Sequence, residues 1–141
     1  MSEPSHKLAA YVCLVLEKDN KVLLLKRANT GWMDGFWHVP GGRLEENESL
    51  THAVIREAHE ELGIIIDHTT VKLVYVMHLN KQTIGFYFLS SEWKGEPKNN
   101  EPHLASDINW FDLNNLPEKI SPFARKVIET YKKGANYSFF E

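Results

Sequence analysis

The most informative part of this chain is residues 41–64, which read GGRLEENESLTHAVIREAHEELGI. Ser49 is a favoured residue for capping the start of a helix, and Gly63 stands where a left-handed residue commonly ends one. The two signals predict a helix from Leu50 to Leu62. At about 100° of rotation per residue, its apolar side chains fall on one face, which should pack against a hydrophobic core. They are Leu50, Val54, Ala58 and Leu62.

Three acidic side chains of this helix share an arc of roughly 100° beside the apolar face. They are Glu57, Glu60 and Glu61. The arrangement is unfavourable by itself, because like charges one turn apart repel and because anions near the C-terminal end oppose the helix dipole. Arg56 can pair with Glu60 and relieve part of the repulsion. A solvated acidic face is the ordinary explanation of such a cluster, but its position beside the core favours a bound Mg²⁺ or Mn²⁺, which prefers oxygen ligands.

The residues around this helix also form a motif. Gly42 is followed after five residues by Glu48, and after seven more by REAHEELGI, residues 56–64. This pattern resembles the Nudix box, G-x5-E-x7-R-E-U-x-E-E-x-G-U, where U is a bulky aliphatic residue; Ala58 is smaller than usual there. The resemblance implies an α/β (α+β) chain with the Nudix fold, a mixed β-sheet sandwiched between α-helices. It also implies a Mg²⁺- or Mn²⁺-dependent hydrolase that cuts a phosphoanhydride bond in nucleoside diphosphate derivatives.

The resemblance assigns catalytic and metal-binding roles within the motif. Glu57, Glu60 and Glu61 are expected to bind the metal or to orient the attacking water, and either Glu57 or Glu61 could be the general base. Gly41 or Gly42 should offer a backbone carbonyl to the cation, which a glycine allows to approach closely.

Four further residues support this expected site. Arg56 should hold the carboxylates in register, with Glu48 as its partner. Residues 95–101 are similar to a region of MutT-type members that adds one more acidic residue, for which Glu101 is the candidate; a solvated loop residue is the alternative. Arg27, near the end of a predicted strand, is a candidate for contact with phosphate, and an ordinary surface arginine is its alternative.

The substrate is less closely specified than the chemistry. The short chain and the segment NTGW, residues 29–32, resemble MutT-like nucleoside triphosphate pyrophosphohydrolases. This implies hydrolysis of a nucleoside triphosphate, including oxidised dGTP, to the monophosphate and pyrophosphate. ADP-ribose or another diphosphate conjugate is the alternative. Trp32, Phe36 and Trp37 could stack on a purine base or pack in the core. A non-catalytic nucleotide-binding module is also open, although its signature carboxylates are often replaced and here all are present.

Strand patterns surround the predicted helix. They cover residues 10–17, 21–27, 37–39, 71–79, 83–90 and 108–112. The first two flank Asp19-Asn20, a pair suited to a tight turn, and predict a hairpin. Pro40-Gly41-Gly42 should end regular structure, and Ser121-Pro122 should begin a last helix that runs to about Gly134. With 141 residues, we expect one domain over residues 1–141.

Composition narrows the partners and the setting. A formal net charge of −3 argues against nucleic-acid polymers, so a small nucleotide is the expected partner. The single cysteine, Cys13, indicates a buried thiol and a reducing, cytoplasmic setting. No apolar run approaches the roughly 20 residues that span a membrane. The 7 histidines show no zinc-type spacing, so His52 and His59 are interpreted as surface residues. A homodimer stays open, because dimers are frequent in the family.

Overall fold

The computed structural model describes residues 6–141, which contain eight strands and two helices. The strands are β1 (Ala9–Lys18), β2 (Lys21–Arg27), β3 (Trp37–His38), β4 (Gly41–Arg43), β5 (Val71–Leu79), β6 (Thr83–Ser90), β7 (Ala105–Asp112) and β8 (Tyr137–Phe140). The helices are α1 (Leu50–Leu62) and α2 (Pro122–Thr130), and two 3₁₀ turns span His68–Thr70 and Tyr131–Lys133. Within these residues no helix is long and apolar enough to cross a membrane.

The strands form a mixed sheet in the order β3-β2-β1-β6-β5-β8, with β4 also paired to β1 and β7 to β2. Strand β1 runs parallel to β6, and β5 runs parallel to β8. The remaining pairs are antiparallel. This mixture of directions, together with the helices that cover the sheet, confirms the predicted fold class.

Strand β1 shows how the sheet comes to lie between the two helices. Successive side chains of a strand point to opposite faces. Accordingly, Val12, Leu14 and Leu16 pack in the core cluster that contains α1, whereas Cys13 and Val15 pack in the cluster that contains α2. Helix α1 buries Ala53, Val54, Ala58 and Leu62. Leu50, which we expected on this face, is only half-buried, and Ala53 takes a fully buried place beside Val54.

The predicted hairpin at Asp19-Asn20 is confirmed by its backbone angles, and a second turn of the same kind joins β5 to β6. Asp19 and Asn20 have φ values of 54° and 61°, and Asn80 and Lys81 have 40° and 62°. Two consecutive residues with positive φ match the right-handed twist of the strands that they connect. The turns therefore fix the β1–β2 and β5–β6 pairings.

The largest differences from the sequence prediction concern β4, β7 and the segment from α2 to the last strand. Regular structure does not end at residues 40–42, because β4 pairs with β1 through Gly42 opposite Val12. Strand β7 begins at Ala105, three residues before the predicted start at 108. Helix α2 ends at Thr130 and continues as a 3₁₀ turn that stops at Gly134, and the short β8 after it was not predicted.

Candidate active site

Two glycines let β4 approach its neighbours more closely than any other residue would. A Cβ atom on Gly41 would lie 2.2 Å from the backbone oxygen of Val12, and one on Gly42 would lie 2.4 Å from Oε1 of Glu57. The first glycine is therefore needed for strand pairing, and the second leaves room for a carboxylate. The Gly41 N–H also donates to Oε1 of Glu61 at 3.0 Å, which joins the strand to the end of α1.

Arg56 is the centre of the charge network on α1. Its Nε and Nη2 donate to the two carboxylate oxygens of Glu48 at 2.9 and 2.7 Å. Its Nη1 donates to Glu57 at 2.8 Å and to Glu60 at 3.3 Å. The Glu48 side chain is only 5% exposed, and the Arg56 hydrogen bonds lower its pKa to about 2. The expected Arg56–Glu48 pair is thus present. The Arg56 guanidinium of this pair also binds the carboxylates of Glu57 and Glu60, two of the three acidic residues of α1.

Glu61 lies in a different environment from the other two acids of α1. It is close to Glu57 and receives the Gly41 N–H. Burial, and then the neighbouring Glu57 carboxyl, raise the pKa of Glu61 well above its ordinary value. The charged form of Glu61 is therefore disfavoured until a cation comes near it.

The loop of residues 95–101 brings Glu101 close to the acidic residues of α1. The backbone N–H groups of Lys98 and Asn100 donate to the carbonyls of Leu62 and Glu61, both at 3.0 Å. These bonds satisfy carbonyls that the end of a helix leaves free. Burial first, and then the charges of Glu57 and Glu60, raise the pKa of Glu101. The loop candidate from the sequence therefore lies in the field of the acidic residues of α1.

The acidic residues line a cleft of about 290 Å³. Of the residues expected at the site, the cleft is lined by Arg27, Gly41, Glu57, Glu60, Glu61 and Glu101. In the described residues 6–141, no three carboxylate, imidazole or thiol groups already converge in a geometry that would hold a metal ion. The donor set nevertheless fits a hard cation, since it consists of carboxylates, two of which have a disfavoured charged form.

A second, larger cleft of about 500 Å³ adjoins the first. The two share five lining residues: Arg27, Thr30, His38, Val39 and Gly41. The second cleft is additionally lined by aromatic side chains, namely Tyr11, Trp32, Tyr87 and Phe123, and by Gly42. One elongated ligand could thus place a charged end among the carboxylates and an apolar, planar end among the rings.

The three candidate aromatics separate in the structure. Trp32 lines the second cleft, where it stacks on Phe123 with ring centroids 5.8 Å apart. Trp37 instead packs edge-on against Phe111 at 4.8 Å, in the core cluster of α2. Phe36 lies under the ammonium group of Lys119. Neither Phe36 nor Trp37 lines either of these two clefts. Of the two alternatives that the sequence left open, Trp37 takes core packing, because β3 turns its side chain into the core.

Arg27 is held where both clefts meet. Its Nε donates to the backbone oxygen of Trp32 at 2.7 Å, and its guanidinium lies 4.9 Å from the centre of the Trp32 ring. Burial lowers the pKa of Arg27, and the neighbouring carboxylates of Asp34 and Glu61 partly oppose this shift. A guanidinium anchored through Nε leaves its remaining N–H groups to face the cleft, as a phosphate contact requires.

His38 is a cleft residue that the sequence did not reveal, because its histidines form no recognisable set. It is 7% exposed, and its Nδ1 lies 2.7 Å from Oγ of Ser121. That Oγ already accepts the Ala124 N–H at 3.1 Å as the N-cap of α2. Ser121 is fully buried, so a hydroxyl hydrogen without an acceptor would cost about 1–3 kcal/mol. The hydroxyl therefore donates to Nδ1, and His38 carries its proton on Nε2.

The charge state of His38 follows from its position. Burial, and then the charge of Arg27, lower its pKa to about 3. The ring is therefore neutral at pH 7. Its Nε2–H group is a neutral donor at the junction of the two clefts.

The comparisons with known proteins agree on one family. The model of the NUDIX domain matches residues 5–131. The ADP-ribose pyrophosphatase of Methanocaldococcus jannaschii is 35% identical over 125 residues, which cover 86% of this chain and 72% of that protein. The 8-oxo-dGTP diphosphatase of Proteus vulgaris is 38% identical over 93 residues, covering 64% and 80%. The crystal structure of a MutT NUDIX hydrolase from Burkholderia pseudomallei superposes with a TM-score of 0.81 at 28% identity, covering 88% of this chain and 98% of that one.

Proposed function

The chain belongs to the NUDIX domain family, and on that basis we propose that it hydrolyses a nucleoside triphosphate to the nucleoside monophosphate and pyrophosphate. Its relatives make it a hydrolase of nucleoside diphosphate derivatives, and Nudix hydrolases generally use divalent metal cations. We propose Mg²⁺ or Mn²⁺ as that cation, because both prefer the carboxylate oxygens that line the first cleft.

One observation carries the proposal: four carboxylates and a glycine backbone line a single cleft that opens beside an aromatic one. The carboxylates are Glu57, Glu60, Glu61 and Glu101, and the glycine is Gly41. In this proposal the three glutamates of α1 hold the cation, with Glu101 and a carbonyl of Gly41 or Gly42 as further ligands. A purely structural acidic face would not bury Glu61 next to Glu57, where their charges repel.

The residues of the chain have separable tasks in this reaction. A bound divalent cation would supply charge neutralisation at the phosphoryl oxygens and lower the pKa of a water molecule. Arg56, fixed by Glu48, keeps the carboxylates of Glu57 and Glu60 at a set position on α1. Either Glu57 or Glu61 takes the proton from the attacking water. Arg27 neutralises negative charge on the substrate where the clefts meet.

The substrate assignment rests on the second cleft. Its aromatic lining suits a nucleobase, and its junction with the acidic cleft suits a chain of phosphates beginning at the sugar. Nucleoside triphosphates, including oxidised dGTP, come first because the fold is that of a MutT-type hydrolase and a relative is an 8-oxo-dGTP diphosphatase. ADP-ribose comes second, because the more extensively aligned relative is an ADP-ribose pyrophosphatase.

The remaining expectations belong to the same proposal. We propose that the chain acts as one domain on small nucleotides in the cytoplasm, without nucleic-acid polymers or membranes as partners, and that it can form a homodimer. The buried, unpaired Cys13 supports a reducing setting, and the formal charge of −3 argues against a polymer of phosphates.

A panel of nucleotides tests the proposal. Purified protein is incubated with nucleoside triphosphates, oxidised dGTP and ADP-ribose, with Mg²⁺ or with a chelator, in ¹⁸O-labelled water. We expect cation-dependent release of a monophosphate whose label locates the attacked phosphorus, and loss of product in Glu60→Gln and Glu61→Gln. A protein that binds nucleotides but releases no product with either cation would contradict the proposed reaction.

A further inference from the structure

The junction of the two clefts holds a hydrogen-bond donor that the proposed reaction has not yet used. His38 lines both clefts, and its ring is held on two sides. Nδ1 accepts a hydrogen bond from the Ser121 hydroxyl, and the ring packs edge-to-face against Trp32, with ring centroids 5.3 Å apart. The other ring nitrogen, Nε2, has no hydrogen-bond partner among residues 6–141. It is also not one of the polar side-chain atoms that are fully buried without a partner in these residues, so Nε2–H is exposed to a cleft.

The backbone around His38 is fixed as firmly as its ring. The Trp37 N–H donates to the Lys119 carbonyl at 2.9 Å, and the Ser121 N–H donates to the Trp37 carbonyl at 2.8 Å. These two bonds join β3 to the segment that leads into α2. The donor is therefore set in place before any ligand arrives, which lowers the entropic cost of using it.

We propose that His38 is a substrate-binding residue whose Nε2–H donates to an oxygen of the sugar–phosphate junction of the nucleotide. This inference rests on the proposed function, because it takes the base to lie in the aromatic cleft and the phosphates to lie in the acidic one. The atoms between these two ends are the sugar and the first phosphate, and both present oxygen acceptors.

A neutral donor suits this position. Arg27 already places one positive charge at the junction, and a second one at His38 would compete with the cation for the carboxylates of the first cleft. A neutral N–H binds an oxygen without that competition, and Arg27 beside it supplies the positive charge that a phosphate needs. Ser121 acts through His38: it is a positioning residue that selects the tautomer and touches no substrate.

The tautomer can be measured without any turnover. In protein labelled with ¹⁵N at histidine, we expect His38 to show the Nε2–H tautomer between pH 5 and 8. A ring protonated on Nδ1 would overturn the inference, because the donor would then face Ser121. In Ser121→Ala the preference for one tautomer should weaken. Ser49→Ala is the matched control, since it removes the other serine N-cap, whose Oγ accepts the His52 N–H, and should leave the His38 signal unchanged.

Substitution tests the contact with substrate. An amide carries an acceptor and a donor spaced much as the two ring nitrogens are, so His38→Gln can receive the Ser121 hydroxyl and still donate. His38→Phe keeps a ring but has no donor. We expect kcat/KM for the nucleotide that the wild type hydrolyses to fall roughly ten- to a hundredfold in His38→Phe, and to stay within about fivefold of wild type in His38→Gln. A folded His38→Phe protein with wild-type kcat/KM would overturn the inference.

Titration with adenosine, AMP and ADP-ribose separates this inference from the proposed reaction. A shift of the His38 Nε2 signal with adenosine assigns the acceptor to the sugar, and a shift only with AMP or ADP-ribose assigns it to phosphate; either result supports the inference. An unmoved Nε2 signal under conditions in which the Trp32 indole signal moves would overturn it. A wild-type protein that hydrolyses no nucleotide contradicts the proposed reaction, whereas the Nε2 signal still reports on His38.

Discussion

Replacing Glu48 by glutamine should lower both the stability and the activity of the protein, because Glu48 fixes the Arg56 guanidinium that binds acidic residues of α1. The change keeps the size of the side chain but removes the charge from two hydrogen bonds of 2.9 and 2.7 Å at a position that is 5% exposed. Charge-assisted bonds contribute about 1.5–3 kcal/mol each, and glutamine keeps part of one. We therefore expect the free energy of unfolding at pH 7 to fall by about 2–4 kcal/mol.

The pH dependence of this loss is specific to Glu48. The pKa of its carboxyl is about 2 in the folded protein, against roughly 4.3 for an unfolded chain. A folded-state pKa below the unfolded value stabilises the protein above the unfolded pKa, and the stabilisation is lost as the pH falls towards 2. At pH 3 about half of the difference between wild type and Glu48→Gln should have disappeared.

Urea denaturation at pH 7 and pH 3 measures both effects, with Glu46→Gln as the control because Glu46 is exposed in the same loop. Glu46→Gln should have the same free energy of unfolding as wild type at both values of pH. The reasoning would be refuted if Glu48→Gln were as stable as the control at pH 7, or if its loss of stability were the same at pH 3.

Three further predictions follow from the same contacts. Gly42→Ala should reduce kcat at least tenfold with little loss of stability, because the atoms nearest its Cβ all belong to the side chain of Glu57, which would be displaced. Gly41→Ala should unfold more easily, because its Cβ would meet the backbone of β1; thermal melts and rates separate the two. Glu101→Gln should lower kcat/KM and raise the cation concentration needed for half-maximal rate, as a titration with Mn²⁺ would reveal; unchanged values would remove Glu101 from the site. Cys13, whose pKa is raised to about 12 by burial, should resist iodoacetamide at pH 8 until urea is added, as mass spectrometry of the intact chain would show.

Much of the fold around the site follows from local sequence signals. Ser49 and Gly63 mark the ends of α1 correctly, because capping depends on residues next to one another in the chain. The Asp19-Asn20 turn follows for the same reason. The expected Arg56–Glu48 pair also forms, since both residues belong to one local motif.

The features that the sequence did not predict depend on contacts between segments that are distant in the chain. Strand β4 forms because Gly41, which has no side chain, can approach the backbone of β1 closely enough to pair with it. In the sequence, the pair Gly41-Gly42 indicated only a break in regular structure. Strand β8 is four residues long and depends on its partner β5. The significance of His38 depends on Ser121, which is 83 positions away, so its spacing to other histidines carried no signal.

Metal binding tests the central claim most directly, namely that the acidic residues of α1 are gathered for a divalent cation. Free Mn²⁺ can be measured by electron paramagnetic resonance in the presence of wild-type protein, Glu57→Gln, Glu61→Gln and the exposed-site control Glu46→Gln, each with and without a nucleotide. We expect wild type and the control to bind Mn²⁺ equally, and each site variant to bind it at least tenfold more weakly. Equal binding by all four proteins, or none by wild type even with nucleotide, would contradict the account.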